Sequence, residues 1–252
     1  MTTKHNTEEI LGIRFFTGEA DAILAHLENG GLLTAPAAPA LIELGKDLEY
    51  TASLLESDIV IPDSGLMALL WFIRTGKPLP KLSGLKLLRL LLNQKELKTK
   101  GTSFWIKPTY DAQTKSFNYL KNKGFSLTEE DFYIAPMYNR GSIKDPLLIE
   151  ILNNRRPSYI FINIGGGKQE VLGLYLKENL SYKPAILCTG AAIAFLTGEQ
   201  ANIPEWADKL GIGWLLRCVK NPKKFALRNI KALKLIPILL RNRERLPANE
   251  TR

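Results

Sequence analysis

The chain has 252 residues, of which 45% are hydrophobic, and a formal net charge of +9. This size and composition fit one large domain, or one domain that carries an appendage. The two cysteines and two histidines show neither metal-ligand nor redox spacing, so we expect no metal site, no catalytic zinc and no Ser-His-Asp triad. The scarcity of cysteine and the lack of a signal-peptide pattern favour a reducing cytoplasm.

Segments typical of strands and helices alternate along residues 8–198. Short apolar runs rich in β-branched and aromatic residues predict strands at 10–16, 32–34, 57–63, 102–108, 131–138 and 159–164. Amphipathic stretches predict helices at 20–30, within 34–57, and at 65–77, 82–101, 111–124, 145–157 and 171–180. This alternation predicts an α/β fold, with a Rossmann-like, mainly parallel sheet flanked by helices. No apolar run reaches the roughly 20 residues that a membrane-spanning helix needs.

The run YIFINIGGGKQE, residues 159–170, joins a predicted strand to a predicted helix through three glycines. Such a turn points backbone N–H groups outward at a helix start, and no side chain keeps a phosphate away. The run is not a Walker A loop, because no Ser or Thr follows Lys168 at the required spacing. It is not GxGxxG either, since Glu170 stands at the third glycine position. An anion site and an ordinary tight turn both remain open on this pattern.

The positive charge is concentrated in residues 211–252, which contain eleven Lys or Arg and two Glu. Residues 1–210 are therefore neutral, and we predict an α/β domain over 1–210 and a basic amphipathic helical appendage over 211–252. Helical spacing gives the appendage a basic face, formed by Arg217, Lys220, Lys224, Arg228 and Lys231. It also predicts an opposing apolar face with a break at Pro237, formed by Leu227, Ile230, Leu233, Ile236, Leu239 and Leu240.

Such an appendage has three interpretations. It fits a membrane surface, where anionic lipid contributes about 1 kcal/mol per basic residue. It also fits a terminal helix that packs on the body and keeps its charges in water. A nucleic-acid partner is the least supported, because the appendage has only Trp214 and Phe225 as aromatic residues and no RNA- or DNA-binding signature.

Ligands of open α/β sheets bind beyond the carboxyl ends of the strands. Polar or glycine residues follow several predicted strands at this edge, namely Thr34, Asp63, Gly165–Glu170 and Thr189-Gly190. Asp63 follows the apolar run IVIP, so its carboxylate can be held there as a general base. The alternative is that Asp63 caps the following helix, since Asp is a favoured N-cap residue.

Five motifs, in this order, resemble those of the WecG/TagA/CpsF glycosyltransferases: VIPDSG, KPLPKLSG, INIGGGKQE, TGAAIAFLTG, and IPEWADKLGIGWLLR followed by KNPKKFALR. The resemblance runs from about Ile10 into the appendage. These bacterial enzymes build surface polysaccharides and teichoic acids. The resemblance implies an inverting transferase without an essential metal or cofactor. It would move an N-acetylmannosamine-type or related sugar from a UDP donor to a polyprenyl-diphosphate-linked acceptor.

The resemblance also assigns roles to residues of this chain. Asp63 matches the proposed base of the family's PDG motif. GGGKQE matches the family's PKQE segment, so Gln169 and Glu170 would sit at the uridine nucleotide. To this nucleotide site we add the strand-end positions Gly165, Gly166, Gly167, Lys168 and Gly190. The motif positions that would serve the acceptor and its diphosphate are Lys81, Arg217, Lys224 and Arg228, to which we add Thr34 at the end of its strand. The protein would be cytoplasmic and peripheral on the inner face of the membrane, held there by its appendage, without nucleic acid and with a homo-oligomer left open.

Several polar motif positions of the family are replaced in this chain. The TPN motif reads TAPAAP, so Ala35 and Ala37 stand in place of its Thr and Asn, and the Asp of GxFD becomes Ala194. The proline of PKQE is Gly167. Either the sugars differ from those of the family, or the protein is a subunit that binds a UDP-sugar or a lipid-linked glycan without turnover. An α/β protein with a structural tail and no nucleotide is the third alternative.

Overall fold

The computed structural model describes residues 7–80, 82–200, 230–242 and 244–247. In these ranges the chain forms an eight-stranded sheet flanked by helices. The strands are β1 (Thr7–Ile10), β2 (Ile13–Phe16), β3 (Gly31–Thr34), β4 (Ile59–Val60), β5 (Ser103–Lys107), β6 (Phe132–Ile134), β7 (Tyr159–Ile162) and β8 (Ala185–Cys188). Their order is β1-β2-β4-β3-β8-β7-β5-β6, and every neighbouring pair except the antiparallel β1–β2 is parallel. The predicted α/β, mainly parallel fold is confirmed.

Helices connect the strands and cover both faces of the sheet. They are α1 (Ala20–Leu27), α2 (Ala38–Leu41), α3 (Leu48–Leu55), α4 (Gly65–Thr75), α5 (Gly84–Leu92), α6 (Tyr110–Asn122), α7 (Pro146–Arg155), α8 (Lys168–Asn179), α9 (Ala192–Leu196) and α10 (Leu235–Asn242). Two 3₁₀ turns, Glu96–Lys98 and Glu129–Asp131, lie between them. Side-chain N-caps start α3 to α7, supplied in turn by Asp47, Ser64, Ser83, Thr109 and Asp145. These caps stabilise each helix start by about 1 kcal/mol.

The first predicted strand, residues 10–16, is in fact the turn and second strand of a hairpin. Leu11 and Gly12 both have positive φ, at 54° and 75°, and Ile10 pairs with Ile13 across the turn. Two central residues with positive φ are typical of a tight two-residue hairpin turn. The apolar run therefore reverses direction at Gly12 instead of continuing.

Two other predicted elements are shorter in the structure than in the sequence pattern. The strand expected to end at Asp63 is limited to β4, because Pro62 lacks the N–H that a central strand must donate. The helix expected to end at residue 101 stops at Leu92 and is followed by the 3₁₀ turn at Glu96–Lys98.

Apolar side chains pack on both faces of the sheet. Along β5, Phe104 and Ile106 belong to the core on one face. Trp105 belongs to the core on the other face and stacks on Phe161 of β7, with 4.1 Å between the ring centroids. The strands are thus buried from both sides, as parallel strands usually are, and the carboxyl ends become the edge where a ligand can approach.

The described part of the appendage packs on the α/β body. Ala232, Leu235 and Leu239 are buried in the same core cluster as Met67 and Trp71 of α4. This contact matches the interpretation of a terminal helix that packs on the body, for residues 230–242. The predicted boundary near residue 210 lies outside the described residues and stays a prediction.

The described part of the appendage shows the interruption predicted at Pro237. Residues 230–232 are helical, residues 233–234 form a turn, and α10 begins at Leu235, so that the proline falls in its first turn, where no intrahelical N–H is required. Of the residues predicted to form the apolar face, Leu239 is buried against the body, whereas Ile230, Leu233 and Leu240 are exposed. No helix in the described ranges is long and apolar enough to cross a membrane.

Candidate active site

Polar residues gather at the carboxyl ends of four strands. Lys107 ends β5, Asp63 follows β4, Asn163 follows β7, and Thr189-Gly190 follows β8. Since β4, β3, β8, β7 and β5 are consecutive and parallel in the sheet, these ends lie on the same edge. This is the edge where open α/β sheets bind ligands.

The carboxylate of Asp63 is oriented by the N-terminus of α5, and not by α4, the helix that directly follows it. Its Oδ1 accepts a hydrogen bond from the backbone N–H of Gly84, the first residue of α5, at 2.9 Å. The cap of the following helix α4 is Ser64, whose Oγ accepts from the N–H of Met67 at 3.2 Å. The expectation that Asp63 caps the next helix is therefore wrong. Its half-buried carboxylate lies at the N-terminus of α5, where a negative charge is favoured.

The start of α5 also contacts the loop after β8. A Cβ built on Gly84 would lie 3.6 Å from the carbonyl oxygen of Thr189 and 3.6 Å from the Cβ of Ala35. Any side chain larger than a methyl at residue 84 would have to displace these neighbours. The start of α5, whose Gly84 N–H binds Asp63, therefore lies against Thr189 of the loop that follows β8.

The glycine loop before α8 is shaped by a carboxylate beneath it. Gly167 is the N-cap of α8 with φ of 90°, a conformation that favours glycine. Its N–H donates to Glu170 Oε2 at 2.7 Å. Gly165 and Gly166 are exposed, and a Cβ built on Gly165 would meet no atom within 4 Å. The loop therefore presents an open backbone surface at a helix N-terminus.

Gln169 and Glu170 lie under this loop and not on its surface. Both are buried, with Glu170 fully so. Gln169 Nε2 donates to Glu170 Oε1 at 2.9 Å and to the carbonyl oxygen of Cys188 at 3.4 Å. Burial raises the pKa of Glu170, and the bonds from Gln169 and Gly167 partly offset that rise. In this structure the two side chains support the glycine loop.

Gly190 meets the same cluster from β8. A Cβ built on Gly190, whose φ is 56°, would lie 3.4 Å from Gln169 Nε2. The structure thus brings together Gly165–Glu170 and Gly190, which we assigned to one nucleotide site from the sequence. Asp63 connects to this cluster through Gly84 and Thr189.

Asn163 links two strand ends and was not singled out from the sequence. Its Nδ2 donates to Thr189 Oγ1 at 3.3 Å and to the Gly190 carbonyl oxygen at 3.2 Å. Its Oδ1 is buried and has no hydrogen-bond partner among the described residues. The signal that could have found Asn163 is the single polar residue that follows the apolar run YIFI at the carboxyl end of a strand.

Lys107 is a second polar residue that the sequence patterns did not single out. It is only 1% exposed, and we find no hydrogen bond or ion pair to its ammonium group in the part of the chain that the structure describes. Burial lowers the pKa of Lys107 to about 8, and the charge of Glu199 opposes that shift. Its position at the end of the apolar run FWI is again the available signal.

A cavity of about 570 Å³ opens beside the glycine loop. One wall is Gly165–Lys168, a second is formed by residues 135–141, and a third includes Pro39, Ala40 and Glu43. Two helix starts face it, because its lining includes the N-caps of α6 and α8, Thr109 and Gly167. Helix N-termini carry partial positive charge, so this cavity suits an anionic ligand.

Side chains of both charges line the cavity. The Lys168 ammonium donates to the carbonyl oxygen of Tyr138 and so ties the glycine loop to the opposite wall. Arg140 lies 3.8 Å from Glu43 in a solvent-accessible ion pair. The buried hydroxyl of Tyr50, which also lines the cavity, has no hydrogen-bond partner among the described residues. Asp63 is not part of this lining.

Of the remaining predicted site residues, Thr34 alone lies in the described ranges, and it does not line the cavity. Thr34 is fully buried, and its hydroxyl donates to Ser57 Oγ at 3.1 Å. Lys81, Arg217, Lys224 and Arg228 lie outside the described residues, so their roles stay predictions. Within the described ranges no three His, Cys, Asp or Glu side chains are grouped so that they could hold a metal ion.

A mainly parallel α/β sheet with a carboxylate and a glycine loop at its carboxyl edge is typical of enzymes that act on phosphate-bearing ligands. The model of the glycosyl transferase WecG/TagA/CpsF family matches residues 8–249, and the chain belongs to this family. The family identified from the motifs is thus confirmed. Membership supports a glycosyltransferase of cell-surface polysaccharide synthesis, with a sugar donor and an acceptor as its substrates. No match is found among the curated proteins.

Proposed function

We propose that this protein is an inverting, metal-independent glycosyltransferase of exopolysaccharide or capsule assembly. It moves a hexose, of the N-acetylmannosamine type or another, from a UDP donor to a polyprenyl-diphosphate-linked acceptor at the inner face of the membrane. One observation carries the proposal. Asp63 and the glycine loop of α8 lie on the same carboxyl edge and are joined through Gly84, Thr189 and Gly190.

The proposed chemistry needs a base on one side of the sugar and a stabilised leaving group on the other. Asp63 accepts the proton of the acceptor hydroxyl, whose oxygen then forms a bond to the anomeric carbon. The bond between that carbon and the UDP oxygen breaks, and both electrons leave with UDP. Attack from the face opposite UDP inverts the anomeric centre.

The cavity beside the glycine loop is the proposed nucleotide site. Its volume of about 570 Å³ falls in the range of small-molecule sites. The N-termini of α6 and α8, together with Lys168, favour the charge that develops on UDP as it leaves. Gln169, Glu170 and Gly190 act in this proposal by holding the loop in shape.

The acceptor side of the proposal rests on residues predicted from the sequence. Arg217, Lys224 and Arg228 would neutralise the diphosphate of the acceptor, and Lys81 would assist them. Thr34 is fully buried, so it can take part only if the residues that cover it move aside.

One observation favours a second candidate function, a non-catalytic subunit that binds a UDP-sugar or a lipid-linked glycan. Ala35 is buried and packs near Gly84, the residue whose N–H binds Asp63. At the position of Ala35 the family motif has a hydroxyl side chain. An apolar contact there would leave Asp63 in place but remove a group that could recognise the acceptor.

Calorimetric titration with UDP tests the proposal. We expect micromolar to millimolar affinity for the wild type. Gly166→Val should lower it by about tenfold or more, because the added side chain enters the cavity at a residue without positive φ. Lys168→Gln should weaken binding through loss of charge, whereas Lys86→Gln on the exposed side of α5 is the matched control.

The outcomes separate the two candidates. No UDP binding to the intact chain would reject the transferase and the UDP-sugar-binding subunit, and would leave only a subunit that binds a lipid-linked glycan. UDP binding without transfer from any UDP-hexose to a polyprenyl-diphosphate-linked glycan would support the binding subunit. Binding together with transfer that depends on Asp63 would support the transferase.

A further inference from the structure

Helix α4 turns an apolar face to solvent. Leu69, Phe72 and Ile73 are 49%, 50% and 69% exposed. Their spacing of three and four residues places them on one side of the helix. The opposite side, with Met67 and Trp71, is buried in the core. Neighbouring large apolar side chains exposed on one helix are unusual for a surface that faces only water.

The neighbouring segment at residues 230–242 also exposes apolar side chains. It packs against α4, and its Ala232, Leu235 and Leu239 enter the same core cluster as the buried side of α4. Each of the two adjacent segments is thus buried on one side in this core and exposed to solvent on the other. The outer side of the segment carries three exposed apolar residues, Ile230, Leu233 and Leu240. We name these three residues and Leu69, Phe72 and Ile73 the α4–α10 surface.

The two segments that bear this surface carry charges of a single sign. Residues 65–77 and 230–242 contain no Asp or Glu. They contain five Lys or Arg, all of them exposed: Arg74, Lys77, Lys231, Lys234 and Arg241. A second copy of the chain in symmetric contact would bring these like charges together, which is unfavourable. An anionic surface would instead be attracted by about 1 kcal/mol per basic residue.

We propose that the α4–α10 surface is a membrane-docking face, which rests on the headgroups of an anionic lipid bilayer. Its apolar side chains enter the boundary between headgroups and acyl chains, and its lysines contact the phosphates. This inference deepens the membrane association in the proposed function, on which it rests. It differs in placing the contact on the α/β body itself, through α4, and not only on the basic stretch 217–228.

The position of α4 gives this contact a consequence for the site. Asp63 immediately precedes Ser64, the N-cap of α4. Leu69 to Ile73 follow Asp63 by six to ten residues, which is about 9–15 Å along a helix. The same rigid helix thus bears the bilayer contact and starts at the proposed base. Docking by this face would hold Asp63 at a fixed height above the lipid that carries the acceptor.

Flotation of the full chain with lipid vesicles tests the proposal. The vesicles contain phosphatidylcholine alone, or phosphatidylcholine and phosphatidylglycerol in equal parts. We expect binding to the anionic vesicles that weakens in high salt. Phe72→Glu/Ile73→Glu should weaken that binding by about tenfold or more, since two apolar insertions are lost. Leu147→Glu, at a residue 57% exposed on α7, is the matched control and should bind like the wild type.

A second variant and a second measurement make the test decisive. Lys231→Gln/Lys234→Gln should selectively weaken binding to the anionic vesicles and leave the melting temperature unchanged. Equal vesicle binding by the wild type and Phe72→Glu/Ile73→Glu would overturn the proposal, as would no binding by the wild type. A dimer in light scattering that Phe72→Glu/Ile73→Glu converts to monomer would assign the surface to a second copy and also overturn it.

The UDP titration separates this inference from the proposed function. The docking variants should bind UDP like the wild type, because the α4–α10 surface does not line the cavity. Loss of vesicle binding with normal UDP affinity supports the docking face. Vesicle binding that depends on Phe72 and Ile73, in a chain that does not bind UDP, would support the docking face and reject the nucleotide proposal alone.

Discussion

Asp63 accepts a hydrogen bond from the backbone N–H of Gly84, with 2.9 Å between Oδ1 and the nitrogen. The bond joins the loop after β4 to the start of α5, so a main-chain group helps to fix the carboxylate. An amide side chain at residue 63 could accept the same bond. The charge of Asp63 can therefore be removed with little change in geometry.

We predict that Asp63→Asn slows transfer strongly and leaves folding intact. Loss of the general base should lower the rate by about 10²-fold or more. The retained carbonyl oxygen should keep the melting temperature close to that of the wild type. The measurement is UDP release in the presence of a polyprenyl-diphosphate-linked acceptor, combined with thermal unfolding. Asp21→Asn, at an exposed position of α1, is the control for loss of a carboxylate. A rate within about threefold of the wild type would reject Asp63 as the base.

The position of Asp63 was accessible from the sequence because it depends on local pattern. A polar residue directly after a short apolar run lies at the carboxyl end of a strand, and parallel strands share that edge. The same reasoning placed Gly165–Glu170 and Gly190 together. The family resemblance was drawn from the order of the motifs, and the family match over residues 8–249 confirmed the family.

The contacts that shape the site could not be predicted from local sequence patterns. The partner of Asp63 is 21 residues away, and the bond depends on how closely α5 approaches the sheet. Gln169 and Glu170 looked like ligand contacts because they are polar and follow the glycines. The burial of both side chains is set by the packing of α8 against β8, which sequence spacing does not reveal. The hairpin turn at Leu11-Gly12 was also not predicted, because the backbone angles of these two residues, and not the apolar pattern around them, show that the chain reverses direction there.

Glu170 should make stability depend on pH in a defined direction. Burial raises the pKa of Glu170 in the folded protein above its unfolded value. Between these two values the folded chain holds the proton more tightly than the unfolded chain does. The contribution of this site to the free energy of unfolding is therefore greatest in acid, and it falls as the pH rises through that interval.

We expect Glu170→Gln to remove this dependence. The variant should also lose about 1–2 kcal/mol near neutral pH, since its amide would face the amide donor of Gln169 and support Gly167 less strongly. Urea unfolding at several pH values measures both effects, with Glu178→Gln on the exposed side of α8 as control. If the difference from the wild type did not grow toward acid, the burial of a raised-pKa carboxyl at this position would be refuted.

The buried ammonium group of Lys107 is expected to lower the free energy of unfolding at neutral pH. Its pKa of about 8 in the folded chain lies below the unfolded value of roughly 10.4. Between these two pH values the unfolded chain binds more protons than the folded chain, so the free energy of unfolding should rise with pH. Below about pH 8 Lys107 is charged in both states, and the whole destabilisation caused by its burial is present. Lys107→Met should then stabilise the protein at pH 7 by about 3 kcal/mol, at 1.36 kcal/mol per pKa unit.

Comparison of chemical unfolding at pH 7 and at pH 9.5 measures the effect of Lys107→Met. The gain should shrink at the higher pH, whereas Lys86→Met on the surface of α5 should show little gain at either. If Lys107→Met destabilises the protein at pH 7, the ammonium group makes a favourable contact that outweighs its burial. A lower transfer rate in a stabilised variant would indicate that the lysine is retained for the reaction.

Helix α10 gives a direct test of whether the end of the appendage belongs to the body. Leu239 is fully buried in the core shared with α4, while the next residue, Leu240, is 49% exposed. Leu239→Ala should lower the free energy of unfolding by about 2–4 kcal/mol, because it leaves a cavity in that core. Leu240→Ala should change it by about 0.5 kcal/mol or less, since exposed positions tolerate truncation. A single cooperative transition with this asymmetry is the expected result of urea unfolding. Equal small effects of both substitutions would show that residues 230–242 form no part of the folded core, and the docking face on α4 would then lose its neighbour.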